Sequence, residues 1–356
     1  MKKTVTLSSL LLIVIIFQFC TKTDSLVVST KPVTTSTPVM IFTSYNYLDT
    51  YPAHIQAALA TSDNTPSTNP ITNEGANLGR ILFYDKQLSR NGTTSCASCH
   101  QQQNSFSDSV VLSRGLDGGS TTRHSMALLN IRFYKSGKMF WDERAASVEK
   151  QALQPIQNHL EMDLTLEQLE AKVKSLTYYP SLFQKAFGSS LIDSVLIARA
   201  LSQFERSIVT YQSKYDRVKQ GLEIFTAAEA AGEQLFLTVP ANRTCASCHN
   251  PPMFITSSPS APFGLADAKD LGINNRGNFK SSSLRNISIR SNLFHNGSVA
   301  NVQEMLNAGN PGTGKQSIPS HFLRTADIPN MMAFLNTLTD RTILTEAKFS
   351  DPFALK

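Results

Sequence analysis

Long alternating runs of apolar and polar residues are missing from this chain, which leaves little room for β-sheet and points to helix and loop. Charge of one sign is also scarce. The formal balance is only +6, Lys2 and Lys3 supply two of those charges, and no basic stripe with interleaved aromatics appears. Nucleic acid is therefore not an expected partner. Tryptophan occurs once, at Trp141, and cysteine five times in 356 residues. The apolar run from Leu7 to Phe19 is shorter than the roughly 20 residues that a membrane-spanning helix needs.

What is present is a repeated word. Cys-Ala-Ser-Cys-His stands at 96–100 and again at 245–249, so four of the five cysteines belong to one motif used twice. C-x-x-C-H is the attachment pattern of c-type haem, in which both thiols add to vinyl groups and the adjacent His ligates iron. Cys96, Cys99 and His100 are expected to hold one haem, and Cys245, Cys248 and His249 a second. Zinc bound by the two C-x-x-C pairs is the weaker reading, since each pair ends in His and their separation far exceeds zinc-ribbon spacing. A thioredoxin-like motif would want a strand nearby, whereas the flanks here are Asn, Gln, Ser and Pro. Structural disulfides rank last.

Met1-Lys2-Lys3 ahead of the apolar run reads as an export leader over 1–20. Cys20 follows the run at once, where a lipoprotein is cut and acylated, although Phe17-Gln18-Phe19 is bulkier than such a cleavage site prefers. Residues 21–46, rich in Thr, Ser, Val, Lys and Pro, are expected to be a flexible tether. The implied location is the periplasm or cell envelope, with a lipid anchor at Cys20.

The remaining chain is expected to be mainly α, as two cytochrome c-like haem domains in tandem. These span 47–218 and 219–345, with a tail over 346–356 and the haems near the domain interface. Thr165 and Gln168 have capping-box spacing ahead of Leu166, Leu169, Val173 and Leu176. Thr226 and Glu229 repeat the box before the second motif. A helix is predicted over 193–211 with Leu196, Ala200, Phe204 and Ile208 on one face, and Pro329 opens the last helix.

The words "NPITNEGANLGRILFYDKQLSRNGTTSCASCH", "FWDERA", "SSSLRN" and "FHNGS" resemble the bacterial dihaem cytochrome c peroxidase family, which includes an enzyme that oxidises the precursor of methylamine dehydrogenase. The resemblance runs from about Asn69 to Asp340. Its pattern of Trp, then Gln ten residues on, then Glu ten further, falls on Trp141, Gln151 and Glu161. The resemblance implies that Glu161 is the acid–base group, Gln151 a hydrogen-bonding positioner, Pro155 a shaper of the pocket, and Trp141 the conductor between haems. Plainer readings are a solvated helix-cap carboxylate, an exposed helical Gln and a core indole.

Three departures from the family pattern stand out. A distal His twenty-three residues before the Trp is replaced by Gly118, which implies a peroxidatic iron open without reductive activation. His159 is a weak candidate substitute. The family's interdomain calcium uses an Asn, here His124, and imidazole is a poor ligand for a hard cation, so one calcium ion is a doubtful cofactor. The second haem's axial Met is expected fourteen residues after His295, where Gly309 stands; Met305, one helical turn earlier, takes its place. Met331 and Met332 read as packing residues and Met253 as too close to His249 to ligate. The expected activity is reduction of hydrogen peroxide with electrons from a small cytochrome or cupredoxin-like donor. Oxidation of a protein side chain, or simple electron carriage, are the alternatives. A homodimer is expected only by family habit.

Overall fold

The computed structural model describes residues 42–238, 244–256, 272–273, 279–308 and 323–353. Cys20, the leader, most of the expected tether and Gly309 lie outside them. Among the described residues thirteen α-helices follow one another: α1 (Ala53–Ser62), α2 (Asn73–Tyr84), α3 (Cys96–Cys99), α4 (Val148–Ala152), α5 (Gln154–Gln157), α6 (Leu166–Ser175), α7 (Tyr179–Phe187), α8 (Ser194–Ser207), α9 (Lys214–Lys219), α10 (Ala227–Thr238), α11 (Cys245–Cys248), α12 (Val302–Ala308) and α13 (Ile328–Thr337). Among the described residues only isolated β-bridges occur, and no helix is long and apolar enough to cross a membrane.

The expected caps form. Thr165 and Gln168 bond reciprocally at the start of α6, and Thr226 and Glu229 do so before α10. The helix expected over 193–211 is shorter than its pattern. Asp193 caps it by accepting the Leu196 N–H at 2.8 Å, but it ends at Ser207, because the Ile208 carbonyl is taken by the Asn130 N–H at 2.9 Å.

Two apolar clusters carry the haem motifs. The first gathers α2, α4, α6, α7 and α8 around Phe83, Phe106 and Phe204, with Cys96 packed against it. The second joins α10, α12 and α13 around Phe236, Phe254 and Phe334, with Cys245 packed against it. Core membership crosses the expected boundaries. Tyr215 of α9 packs in the second cluster, while Ile343 and Phe349 return to the first. The segment from 346, expected as a tail, is anchored by the Phe349 ring against Tyr47 and Phe204. The tether likewise ends early, since Tyr45 exchanges two backbone hydrogen bonds with the Asn77 side chain.

The two clusters repeat one helix crossing. Gly79 on α2 meets Ala200 and Phe204 of α8, and Gly232 on α10 meets Asn330 and Phe334 of α13. Only glycine lets the backbones approach this closely. A Cβ on Gly232 would lie 2.7 Å from that of Phe334. Gly232→Ala should therefore destabilise the fold by about 1–3 kcal/mol, seen as a lower midpoint in thermal unfolding. An unchanged midpoint would show that the crossing tolerates expansion.

Candidate functional site

Each Cys-Ala-Ser-Cys is a single helical turn that ends at its His in the same backbone conformation, φ −114°, ψ 73° at His100 and φ −117°, ψ 73° at His249. His100 Nδ1 lies 3.0 Å from the Phe106 carbonyl and 3.1 Å from Ser125 Oγ. A ring N–H at Nδ1 serves these acceptors, which leaves Nε2 as the nitrogen for an iron. His249 Nδ1 lies 3.1 Å from Ser281 Oγ in the matching arrangement. Burial lowers the His100 pKa from its ordinary value and so favours the neutral, ligating form.

The thiols fit the same group. Burial pushes Cys96 well up, and Cys99 and Cys245 to about 11, so they stay protonated beside apolar residues rather than poised as thiolates. Among the described residues no three His, Cys, Asp or Glu converge as a metal site, which removes the zinc alternative there. Residues 96–100 and 245–249 could each hold a covalent haem, whose iron would supply the redox chemistry when bound.

Glu161 sits in a loop whose shape comes from Asn158. That residue's carbonyl accepts the N–H groups of Glu161, Met162 and Asp163, and its side-chain amide donates to Glu161 Oε1 at 2.6 Å. Burial raises the Glu161 carboxyl above the usual carboxylate range, against the pull of the Asn158 hydrogen bond and the Arg144 charge. Its charge contributes to raising the Cys96 and Cys99 thiols, so the carboxyl lies within electrostatic reach of that turn. The Leu160 carbonyl accepts the Leu116 N–H at 3.1 Å and docks the turn carrying Gly118 beside this loop. Gly118 has φ +82°, a left-handed conformation in which a His would be strained. His159 points to solvent.

Gln151 and Pro155 lie half-buried on α4 and at the start of α5. Among the described residues the Gln151 side chain makes no hydrogen bond, so the structure does not join it to Glu161. Met305 is half-buried on α12 against the second cluster. Met331 is buried in that cluster, Met332 packs on it, and Met253 packs apart in a third cluster with Tyr51 and Ile55. His124, the aligned calcium position, is 5% exposed and turns Nδ1 onto the carbonyls of Val110 and Val111 at 3.1 and 3.0 Å. An imidazole that donates to carbonyls does not fit a calcium site, which needs oxygen from the side chain.

Trp141, expected as the conductor between haems, is the hub of a hydrogen-bonded path that the sequence does not show. Its indole N–H donates to the His124 carbonyl at 2.8 Å, and its own carbonyl accepts the Lys280 N–H at 2.7 Å. His124 precedes Ser125, which touches His100; Lys280 precedes Ser281, which touches His249. The imidazoles of His100 and His249 are therefore linked by serine hydroxyls, short backbone stretches and one indole. The link is part of a wider repeat. Ser125, Leu128, Asn130 and Ile131 match Ser281, Leu284, Asn286 and Ile287, with Asn130 and Asn286 both left-handed at φ 62° and 61°. Phe140-Trp141 matches Phe294-His295, and the His295 carbonyl accepts the His124 N–H at 2.7 Å, completing the exchange between halves. The shared S-x-x-L-x-N-I word was the available signal. Glu205 was also missed: it is buried on α8 near Cys96, and burial raises its carboxyl to about 8.

Known proteins carry the same architecture. Residues 73–223 match the family model described as di-haem cytochrome c peroxidase. The methylamine utilization protein MauG of Methylophilus methylotrophus is 32% identical over 68% of this chain and 73% of its own. Cytochrome c551 peroxidase of Nitrosomonas europaea is 30% identical over 81% and 86%. Among solved structures, a MauG-like protein associated with microbial copper homeostasis superposes with a TM-score of 0.74 at 28% identity, covering 87% of this chain and all of that one.

Proposed function

The chain belongs to the di-haem cytochrome c peroxidase family, and from that premise we propose that it reduces hydrogen peroxide to water with electrons from a small redox protein. Two haems of c type and a peroxidase activity come with the family. The site assignments are the proposal, and the observation that carries them is Glu161, a buried carboxyl of raised pKa fixed by Asn158 and within electrostatic reach of Cys96 and Cys99.

Peroxide reduction consumes two electrons and two protons and yields two waters. Glu161 takes a proton from the near oxygen of peroxide and returns one to the departing oxygen, and Asn158 fixes the carboxyl for this exchange. Gln151 and Pro155 line the same approach. Gly118 brings no side chain that could ligate a haem iron held by His100, so turnover would start without prior reduction. Cys245, Cys248 and His249, with the Met305 thioether, would hold the haem that receives electrons, Cys96, Cys99 and His100 would hold the one that meets peroxide, and Trp141 would conduct between them. The linked imidazoles support this route. The body works on the outer side of the cytoplasmic membrane, held by a lipid at Cys20, with a small cytochrome or cupredoxin as donor.

The test is peroxide turnover by the purified holoprotein with a reduced cytochrome donor, wild type against Trp141→Phe. Phenylalanine keeps the packing but loses the indole N–H bond to His124, and inter-haem electron transfer in stopped flow should slow at least ~10-fold. Equal rates would remove Trp141 from the route. The relation to MauG favours a second reading, oxidation of a protein side chain, which predicts oxidised haems formed by peroxide but little turnover with any small donor.

A further inference from the structure

Glu143 adopts φ +58°, a left-handed conformation that is costly for any residue with a Cβ. At the matching position of the second half stands Gly297, at φ +63°. The same turn is therefore made once with the inexpensive residue and once with a strained glutamate.

The carboxylate meets one buried group directly and feels the charge of a second. Tyr134, fully buried, donates its hydroxyl to Glu143 Oε1. Lys280, 2% exposed, places its amine 4.0 Å above the Tyr134 ring and donates to the Lys138 carbonyl at 2.8 Å. The cluster adjoins Trp141, for Glu143 lies two residues beyond it and the Lys280 N–H is bonded to its carbonyl at 2.7 Å. Burial raises the Glu143 carboxyl against the pull of Lys280, which makes it a stronger base than an exposed glutamate. Burial also lowers the Lys280 amine to about 7.

These surroundings treat the two aromatic rings differently. The Trp141 N–H faces a backbone carbonyl, which accepts a hydrogen bond but not a proton. An oxidised Trp141 would thus keep its positive charge. Tyr134 has a carboxylate to receive its proton and becomes a neutral radical on oxidation.

We propose that Tyr134 is a redox site at which an oxidising equivalent comes to rest during peroxide reduction, with Glu143 as its proton acceptor. This rests on the peroxidase reading above. Trp141, oxidised by one electron as peroxide is reduced, recovers an electron from Tyr134. The phenolic O–H bond breaks, a carboxyl O–H forms on Glu143, and Tyr134 remains as the neutral radical. A donor electron and the Glu143 proton later restore the phenol.

The test is electron paramagnetic resonance of the holoprotein frozen after mixing with peroxide, in material grown with ring-deuterated tyrosine. The wild type should show a tyrosyl signal that narrows on deuteration. Tyr134→Phe should abolish it while the optical oxidation of the haems is unchanged, and Glu143→Gln, which keeps the hydroxyl bonded, should lower its yield at least 10-fold. A signal undiminished in Tyr134→Phe, or no tyrosyl signal in a wild type whose haems are oxidised, overturns the proposal. Haems left unoxidised by peroxide overturn the peroxidase reading instead.

Discussion

Peroxide turnover should fall about 10²–10⁴-fold when Glu161 is replaced by glutamine, with KM for peroxide little changed. The amide keeps the size of the carboxyl and can still meet Asn158, but it cannot take up and return a proton. Because burial raises the Glu161 carboxyl, the deprotonated form that accepts the first proton is lost at a higher pH than for an exposed glutamate. The acid limb of kcat/KM in the wild type should therefore lie above the ordinary carboxylate range and vanish in Glu161→Gln. Steady-state assays across pH with a reduced cytochrome donor read both effects. Turnover preserved in the variant would move the acid–base role elsewhere.

The largest effect on stability is expected at Asp216. Its carboxylate, fully buried, accepts from Arg285 at 2.8 and 2.7 Å, from Ser213 and from His54 at 2.9 Å. Arg285 is equally buried and also donates to the Pro252 carbonyl, so one ion cluster ties α1 and α9 to the loop after the second haem motif. Asp216→Ala would leave the guanidinium buried without its counter-charge, and a loss of about 3–5 kcal/mol is expected in urea unfolding. A loss below about 1 kcal/mol would mean that water relieves the cluster. Burial alone would raise the Asp216 carboxyl, but Arg285 and the hydrogen bonds hold it at about 2, below the ordinary 3.8. Its folded pKa is depressed, so its stabilisation is present above pH 4 and drains away as pH falls from about 4 to about 2.

Some of this was legible in the chain itself. Helices with paired caps, such as Thr165 with Gln168, were visible because capping joins residues three apart. The over-long helix at 193–211 shows the limit of that logic: the apolar period continues through Ile208, but Asn130, nearly eighty residues earlier, claims its carbonyl and ends the helix. The boundary between halves was blurred for a related reason. Ile343 belongs by position with the second half, yet it packs in the first apolar cluster, where Phe349 of the expected tail also lies against Phe204 and Tyr47.

The sequence by itself determined the local form of each C-x-x-C-H, one helical turn ending at its His, since that arrangement is set by bond geometry over five residues. The interval from Trp141 to Gln151 to Glu161 also announced the family. Only the tertiary structure decided the hydrogen bonds through which Trp141 reaches the two motifs, by way of Ser125 and Ser281, and that Tyr134 meets both Glu143 and Lys280. Those meetings join residues as far as about 140 positions apart, and no local pattern encodes them. They exist because two copies of one helical unit pack so that each supplies backbone hydrogen bonds to the other's turn.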